Sequence, residues 1–326
     1  MKIATTILFT TLLLPYQLTI ADYEPPRMAD GKPSLQGTWS NTSITRLQRG
    51  SEYSKLIIES ENVDELTNAH PQVVRQNTDD GLNPEDGLLD GKDLGRGRGY
   101  NAFWIDPGKE FGLVKGTRRS SWIVEPSDGR IPRSNKRSPP RMGNRNEAAG
   151  PEVRSLGERC LIGFGGTGGP PMLNTLYNNT YQIVQTPNHV MILVEMVHDA
   201  RIVTLVDPKD PMRHKYSGVQ RWLGNSIGWW EGDTLVVETT NWRTEQAQTG
   251  PVMMSEKGKV TERFTRYSEQ QIFYEFIVED SEYYTQAWRG EMSFNTVSDS
   301  VYEYACHEGN IGMVGILQGA RREEKN

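Results

Sequence analysis

The chain is poor in the features that would identify it at once. It has 2 Cys in 326 residues, so neither a multi-bridge scaffold nor a C-x-x-C metal or haem motif is available. Basic residues are not in excess: 36 Lys plus Arg face 42 Asp plus Glu, for a net charge of −6. That excludes a protein that coats nucleic acid by neutralising phosphates. No apolar run is long enough for a bilayer-spanning helix, which needs about 20 residues. The most hydrophobic stretch, HVMILVEMVHDA, is interrupted by Glu195 and His198. Neither G-x-S-x-G nor H-E-x-x-H occurs, and Gly163–Gly169 (GFGGTGG) lacks the Lys-Ser/Thr of a phosphate loop.

What is present is enough for a folded core. Apolar residues make up 36%, with 32 Gly, 13 Tyr, 8 Trp and 8 Phe besides. Residues 1–21 have the form of a secretory leader: Lys2, an apolar run from Ile3 to Leu14, and Thr19-Ile20-Ala21 before Asp22. Export predicts a periplasmic or secreted mature chain. An oxidising compartment also favours pairing Cys160 with Cys306. Such a bridge would pin Glu158-Arg159-Cys160 beside Cys306-His307-Glu308.

Residues 22–150 read as a loop-rich N-terminal region packing on the core. Glu52–Asn62 and Val63–His70 are candidate short helices, and Asn77–Gly99 a Gly/Asp-rich surface loop. Strands are expected at Phe103-Trp104-Ile105 and Ser121–Val124, and Arg130–Arg145 reads as a solvated basic connection. From residue 151 to 326 the pattern changes to period two. Tyr181–Thr186 and Val190–Val197 flank a Pro187-Asn188 turn. Arg201–Val206 is a further strand. Trp229-Trp230 and Thr234–Thr240 flank Glu231-Gly232-Asp233. Val260–Tyr267, Gln271–Glu279 and Trp288–Phe294 follow. Asn310 is placed to cap a last helix carrying Ile311, Val314 and Leu317 on one side. Seven or eight strands joined mostly by short turns predict a mainly β fold. The expected architecture is an antiparallel meander closing as a barrel or sandwich, with a short C-terminal helix, in one domain over 22–326.

The chain resembles a family of exported, largely uncharacterised bacterial proteins. The resemblance rests on Gly31-Lys-Pro-Ser-Leu-Gln-Gly-Thr-Trp39, Tyr100-Asn-Ala-Phe-Trp104 and Gly168-Gly-Pro-Pro-Met172. It extends through Tyr177–Pro187 (YNNTYQIVQTP), His198-Asp-Ala-Arg201, Trp230–Asn241 (WEGDTLVVETTN) and Tyr302–Asn310 (YEYACHEGN). It implies export and a single domain of constant length. It implies no particular chemistry.

Two clusters are candidates for catalysis. In Glu195-Met-Val-His198-Asp199-Ala-Arg201, ionisable groups end a hydrophobic strand, where unpaired charges are costly. A continuous strand would put Glu195, Asp199 and Arg201 on one face. A tight turn at Asp199-Ala200 would set His198 across from Arg201. The competing reading is a structural Asp–Arg pair. The second cluster, His307-Glu308, lies between the expected bridge and a helix start, and there the competing reading is a plain cap. Glu238, Glu262 and Glu275 sit among apolar neighbours, and barrel alternation would aim one set inward. Tyr181, Trp230, Glu195, Glu262 and Glu275 are the expected ligand contacts. A metal held by His198, His307, Glu195 and Glu308 has no diagnostic spacing, and Asp86, Asp90 and Asp93 do not meet the EF-hand pattern. The expectation is an exported enzyme without metal or organic cofactor, performing lyase, isomerase or hydrolase acid–base chemistry on a small polar or aromatic compound. His198 or His307 would transfer the proton, Asp199 or Glu308 would orient it, and Arg201 would stabilise negative charge. The alternative is a non-catalytic ligand-binding β-barrel, and an aromatic pocket without a His–carboxylate pair would distinguish it.

Overall fold

Alternation of buried and less buried residues is clearest in the strands at 180–205 and 259–279, and the sheet they belong to closes on itself. A computed structural model describes residues 23–80, 105–136, 150–151, 154–163, 166–210, 218–243 and 251–325. The leader, Tyr100–Trp104, Asp86, Asp90, Asp93 and most of the expected basic connection lie outside the described residues.

Nine strands make the barrel. They are β1 (Gly37–Ser40), β6 (Thr180–Gln185), β7 (His189–Val194), β8 (Ala200–Leu205), β9 (Asn225–Glu231), β10 (Thr234–Thr240), β11 (Lys259–Arg266), β12 (Gln271–Glu279) and β13 (Trp288–Thr296). They neighbour one another in that order, and Trp39 opposite Thr296 returns β1 to β13. The short β5 (Ile123–Glu125) adds to β13. Closure leaves the nine staves without a free edge. A second, three-stranded sheet has the order β2 (Ile57–Ile58), β4 (Thr117–Arg119) and β3 (Leu113–Val114).

Two features depart from a plain meander. β9 runs parallel to β8, with Val203 opposite Ser226, so the 206–224 connection carries the chain back to the end it left. The N-terminal region also supplies a stave of its own. β1 is only four residues of Gly-Thr-Trp-Ser, too short for a period-two signal to stand out from the surrounding loop, yet it bridges β6 and β13.

The interior is filled by the inward set of each strand. Ile272, Tyr274, Phe276 and Val278 of β12 meet Val260, Glu262 and Phe264 of β11 and Trp288, Met292 and Phe294 of β13. Close approach requires glycine at one crowded point. A Cβ on Gly290 would stand 2.2 Å from Phe276 Cζ. The loop 166–173 plugs the barrel, with Met172 and Leu173 in the same core.

The expected helix over Glu52–Asn62 is instead strand β2 and a 3-10 turn at Ser60–Asn62. Ser120 Oγ donates to the Lys55 carbonyl, and Ile57 and Ile58 pair with Arg119 and Arg118, so the backbone bonds across to β4 rather than along itself. α1 (Val63–Ala69) forms as expected, and α2 (Pro71–Asp80) runs on into the start of the loop expected over Asn77–Gly99. α3 (Ile311–Glu323) follows Asn310, but Asn310 does not cap it. Its amide donates to the Glu158 carbonyl at 2.9 Å instead. α3 buries none of its residues, and Ile311 and Val314 are exposed.

Candidate functional site

The Cys160–Cys306 bridge forms, with Cα atoms 5.7 Å apart. It fastens the segment 304–310 to the 154–163 loop at one end of the barrel. The β7–β8 connection arrives at the same place. Met196–His198 is a single 3-10 turn with Val197 at φ 58° and His198 at φ 44°. A left-handed backbone is costly for any residue with a Cβ, and most of all for a β-branched one such as Val197. Burial of Val197 in the core holds it there. The consequence is that His198 is turned outward, exposed, with Nδ1 3.3 Å from the Tyr304 carbonyl. Asp199 turns toward the glycine-rich loop, where Gly163 N–H donates to Oδ2 at 2.9 Å. Burial is the main influence on Asp199 and pushes its carboxyl up to about 6, against the opposing pull of that N–H and of His198.

Neither geometry considered for His198-Asp-Ala-Arg201 is therefore realised. Arg201 leaves the turn and points into the barrel, one strand position after the exposed Ala200. Its guanidinium meets Glu262 in two contacts, Nη1–Oε1 3.1 Å and Nη2–Oε2 2.5 Å, with side chains 1% and 0% exposed. Tyr274 Oη donates to Glu262 Oε1 at 2.7 Å and accepts from Met172 N–H at 2.9 Å. Tyr181 Oη donates to the Thr167 carbonyl at 3.0 Å and accepts from Asn41 Nδ2 at 3.3 Å. Burial raises the hydroxyl pKa of both tyrosines, so they remain neutral donors. Arg201, Glu262 and Tyr181 thus belong to a sealed polar core that holds the plug loop, and the solvent-facing clefts do not include them.

The remaining expected contacts disperse. Of the three strand glutamates, Glu262 alone faces inward. Glu275 is on the outer face, 2.8 Å from Arg289, and Glu238 is likewise outward near Lys259. Trp230 packs against the barrel core. His307 and Glu308 are exposed on the disulfide-tethered turn. Among the described residues, no His side chain bonds or ion-pairs with a carboxylate; the imidazole contacts are His198 with Tyr304 O and His70 with Gln72 N–H. Among the described residues, no group of three His, Cys, Asp or Glu is placed to hold a metal ion. No helix there is long and apolar enough to cross a membrane.

Of the expected contacts, Glu195 lines a cleft. It is 6% exposed, and Oε2 accepts Thr180 N–H at 3.1 Å. It lines a hollow of about 550 Å³ together with Asp106, Asp299, Tyr177, Tyr302 and Asn178. Ser40, Thr42, Ser300 and further amides complete the wall, and among the described residues no Lys, Arg or His lines it. Asp106 and Asp299 carry no signal in the sequence, because they lie far apart in the chain and stand on loops without periodicity. A second cleft of about 570 Å³ backs onto the first. Consecutive residues divide between them: Thr42, Asp106 and Tyr177 line one, while Ser43, Pro107 and Leu176 line the other. The shared wall is bonded internally, Asp106 N–H donating to the Leu176 carbonyl at 2.8 Å. The chain matches no family model and no curated protein.

Proposed function

We propose that the protein is an exported, disulfide-stabilised β-barrel that binds a small ligand rich in hydrogen-bond donors, a polyol or an amine, at the Glu195 cleft. The observation that carries this reading is the chemistry of the wall. Among the described residues its charged side chains are all carboxylates (Asp106, Glu195 and Asp299), set among amides and hydroxyls, with Tyr177 and Tyr302 offering aromatic faces. Such a surface accepts hydrogen bonds and complements donors, and a hollow of this size suits a small molecule. The bridge supports export, because disulfides persist in oxidising compartments. The leader-like residues 1–21 and the resemblance to exported proteins point the same way.

The test is a binding screen on the oxidised full chain by thermal shift and calorimetry, with glucose, mannitol, putrescine and spermidine, and with acetate as an anionic control. A polyol or amine is expected to bind saturably. Glu195→Gln and Asp299→Asn should each weaken it by at least about tenfold, since a charge-assisted hydrogen bond contributes about 1.5–3 kcal/mol. No saturable binding by any donor-rich compound, or affinity unchanged in both variants, overturns the proposal.

A second reading is favoured by one observation, the display of His198 and a half-buried carboxyl raised to about 6 on the same turn. A group of that pKa is suited to exchanging protons near neutral pH. Under this reading the bound compound is chemically altered, and His198→Asn stops the alteration without weakening binding. Unchanged ligand by NMR after prolonged incubation at pH 5–8 removes it.

A further inference from the structure

We infer that the second cleft is an independent binding site for an apolar carboxylate, an acid with an aliphatic or aromatic body. Its chemistry is the opposite of the first. Ile44, Leu47, Leu173, Leu176 and Pro251 provide an apolar surface, and the ionisable groups on it are Arg46, His70 and Arg75. Among the described residues no carboxylate lines it. The nearest acid to Arg46 is Glu52, at 3.9 Å, and both side chains of that pair are about half exposed. So loose a surface pair contributes little and leaves the guanidinium able to take a better partner.

The imidazole is built in rather than incidental. His70 is 4% exposed, stands edge-on to Phe111 and ends α1 where α2 begins. Its Nδ1 accepts the Gln72 N–H at 3.2 Å, so the neutral ring carries its proton on Nε2 and presents a donor there. Burial first, then Arg46, disfavours the protonated ring. Gln72 Nε2, a buried donor in the same wall, has no acceptor among the described residues. An unpartnered amide donor, an imidazole N–H and a loosely held Arg46 guanidinium, beside an apolar floor, match a ligand with an anionic head and a hydrocarbon body. A fork of guanidinium N–H groups is the side-chain geometry best suited to a carboxylate.

The experiment uses octanoate, 1-octanol and octylammonium with the oxidised full chain, followed by isothermal calorimetry. Octanoate should bind saturably and at least about tenfold more tightly than octanol, with octylammonium failing to compete. Arg46→Gln should remove that preference while leaving octanol affinity unchanged, and Arg46→Lys should keep part of it. Glu195→Gln should leave octanoate binding as it is, which separates this site from the first cleft. The inference is overturned if octanoate binds no better than octanol, if Arg46→Gln binds octanoate like the parent, or if Glu195→Gln abolishes its binding. The comparison of octanoate with octanol on the unaltered chain decides the matter even if Arg46→Gln fails to fold.

Discussion

Replacing Glu262 by Gln should destabilise the barrel more than almost any other isosteric change. The carboxylate is wholly buried and shares two hydrogen bonds with a guanidinium that is 1% exposed. Solvent cannot screen what remains after its charge is removed. Gln can still accept one bond, but its NH2 faces the other guanidinium nitrogen, donor against donor. Breaking one side of a buried pair costs about 3–5 kcal/mol, most of it the penalty of a stranded charge. Against a typical net stability of about 5–15 kcal/mol, that is a large share. For a chain of this size it corresponds to a fall in Tm of about 5–8 °C. The control is Arg201→Met combined with Glu262→Leu, which removes both charges and should recover most of the loss. Urea unfolding of the oxidised protein, followed by circular dichroism and tryptophan fluorescence together, measures both variants and checks that one transition describes them. A loss below about 1 kcal/mol for Glu262→Gln, or a double variant no more stable than the single one, refutes the assignment of a sealed ion pair.

Gly290→Ala should destabilise by about 2–3 kcal/mol or more, because its Cβ would stand 2.2 Å from Cζ of the fully buried Phe276, whose neighbours leave it nowhere to go; calorimetry checks this. Asp199→Asn should raise stability at pH 7 by about 1–3 kcal/mol and change nothing at pH 3. A carboxyl raised from 3.8 to about 6 costs the fold nothing while protonated in both states. The penalty of ionising it in the folded protein accumulates as pH rises from about 4 through 6. A variant whose stability advantage does not grow over that window contradicts the burial of Asp199. Reducing Cys160–Cys306 closes off an entropic contribution of at most about 5 kcal/mol. The bridge closes a loop that contains β6 to β13, so reductant should lower the barrel's unfolding midpoint in urea; because α3 buries no residue, protease should also release residues 304–325 while the barrel is still folded. Simultaneous loss of tail and barrel would show that the tail is part of the cooperative core.

The barrel was legible because inward and outward sets differ in chemistry. Gln271–Glu279 reads off the sequence as it folds, with Ile272, Tyr274, Phe276 and Val278 inside. The bridge was legible from there being two cysteines and an expected export. β1 was not, since four residues give too few alternations to count. The site fared less well for a physical reason. Period two continued from His189 through Arg201 leaves the hand of the connection undefined, and one buried left-handed residue, Val197, decides where His198, Asp199 and Arg201 point. Nothing in the residue types marks that position, because valine is among the least suited to it. The clefts were invisible for another reason. Much of their walls comes from 41–47, 105–107 and 173–179, loops brought together by tertiary bonds.

Those loops are set by the sealed interior, which gives the buried polar groups a reason to be there. An apolar core of the same volume would be as stable or more so, so stability does not explain retaining Arg201, Glu262, Tyr274 and Tyr181. What the polar groups add is direction. Tyr274 Oη fixes Met172 N–H, Tyr181 Oη fixes the Thr167 carbonyl, and Asn41 Nδ2 reaches both the Met172 carbonyl and Tyr181. Hydrophobic contact alone would let the plug slide; these bonds have one register. The chain leaves that plug at Leu173 and forms the shared wall within the next six residues, through Asn174 bonded to Ser43 and Asn179 bonded to Thr175. The barrel's charged centre therefore positions the partition between an acid-lined and a base-lined cleft without touching a ligand in either.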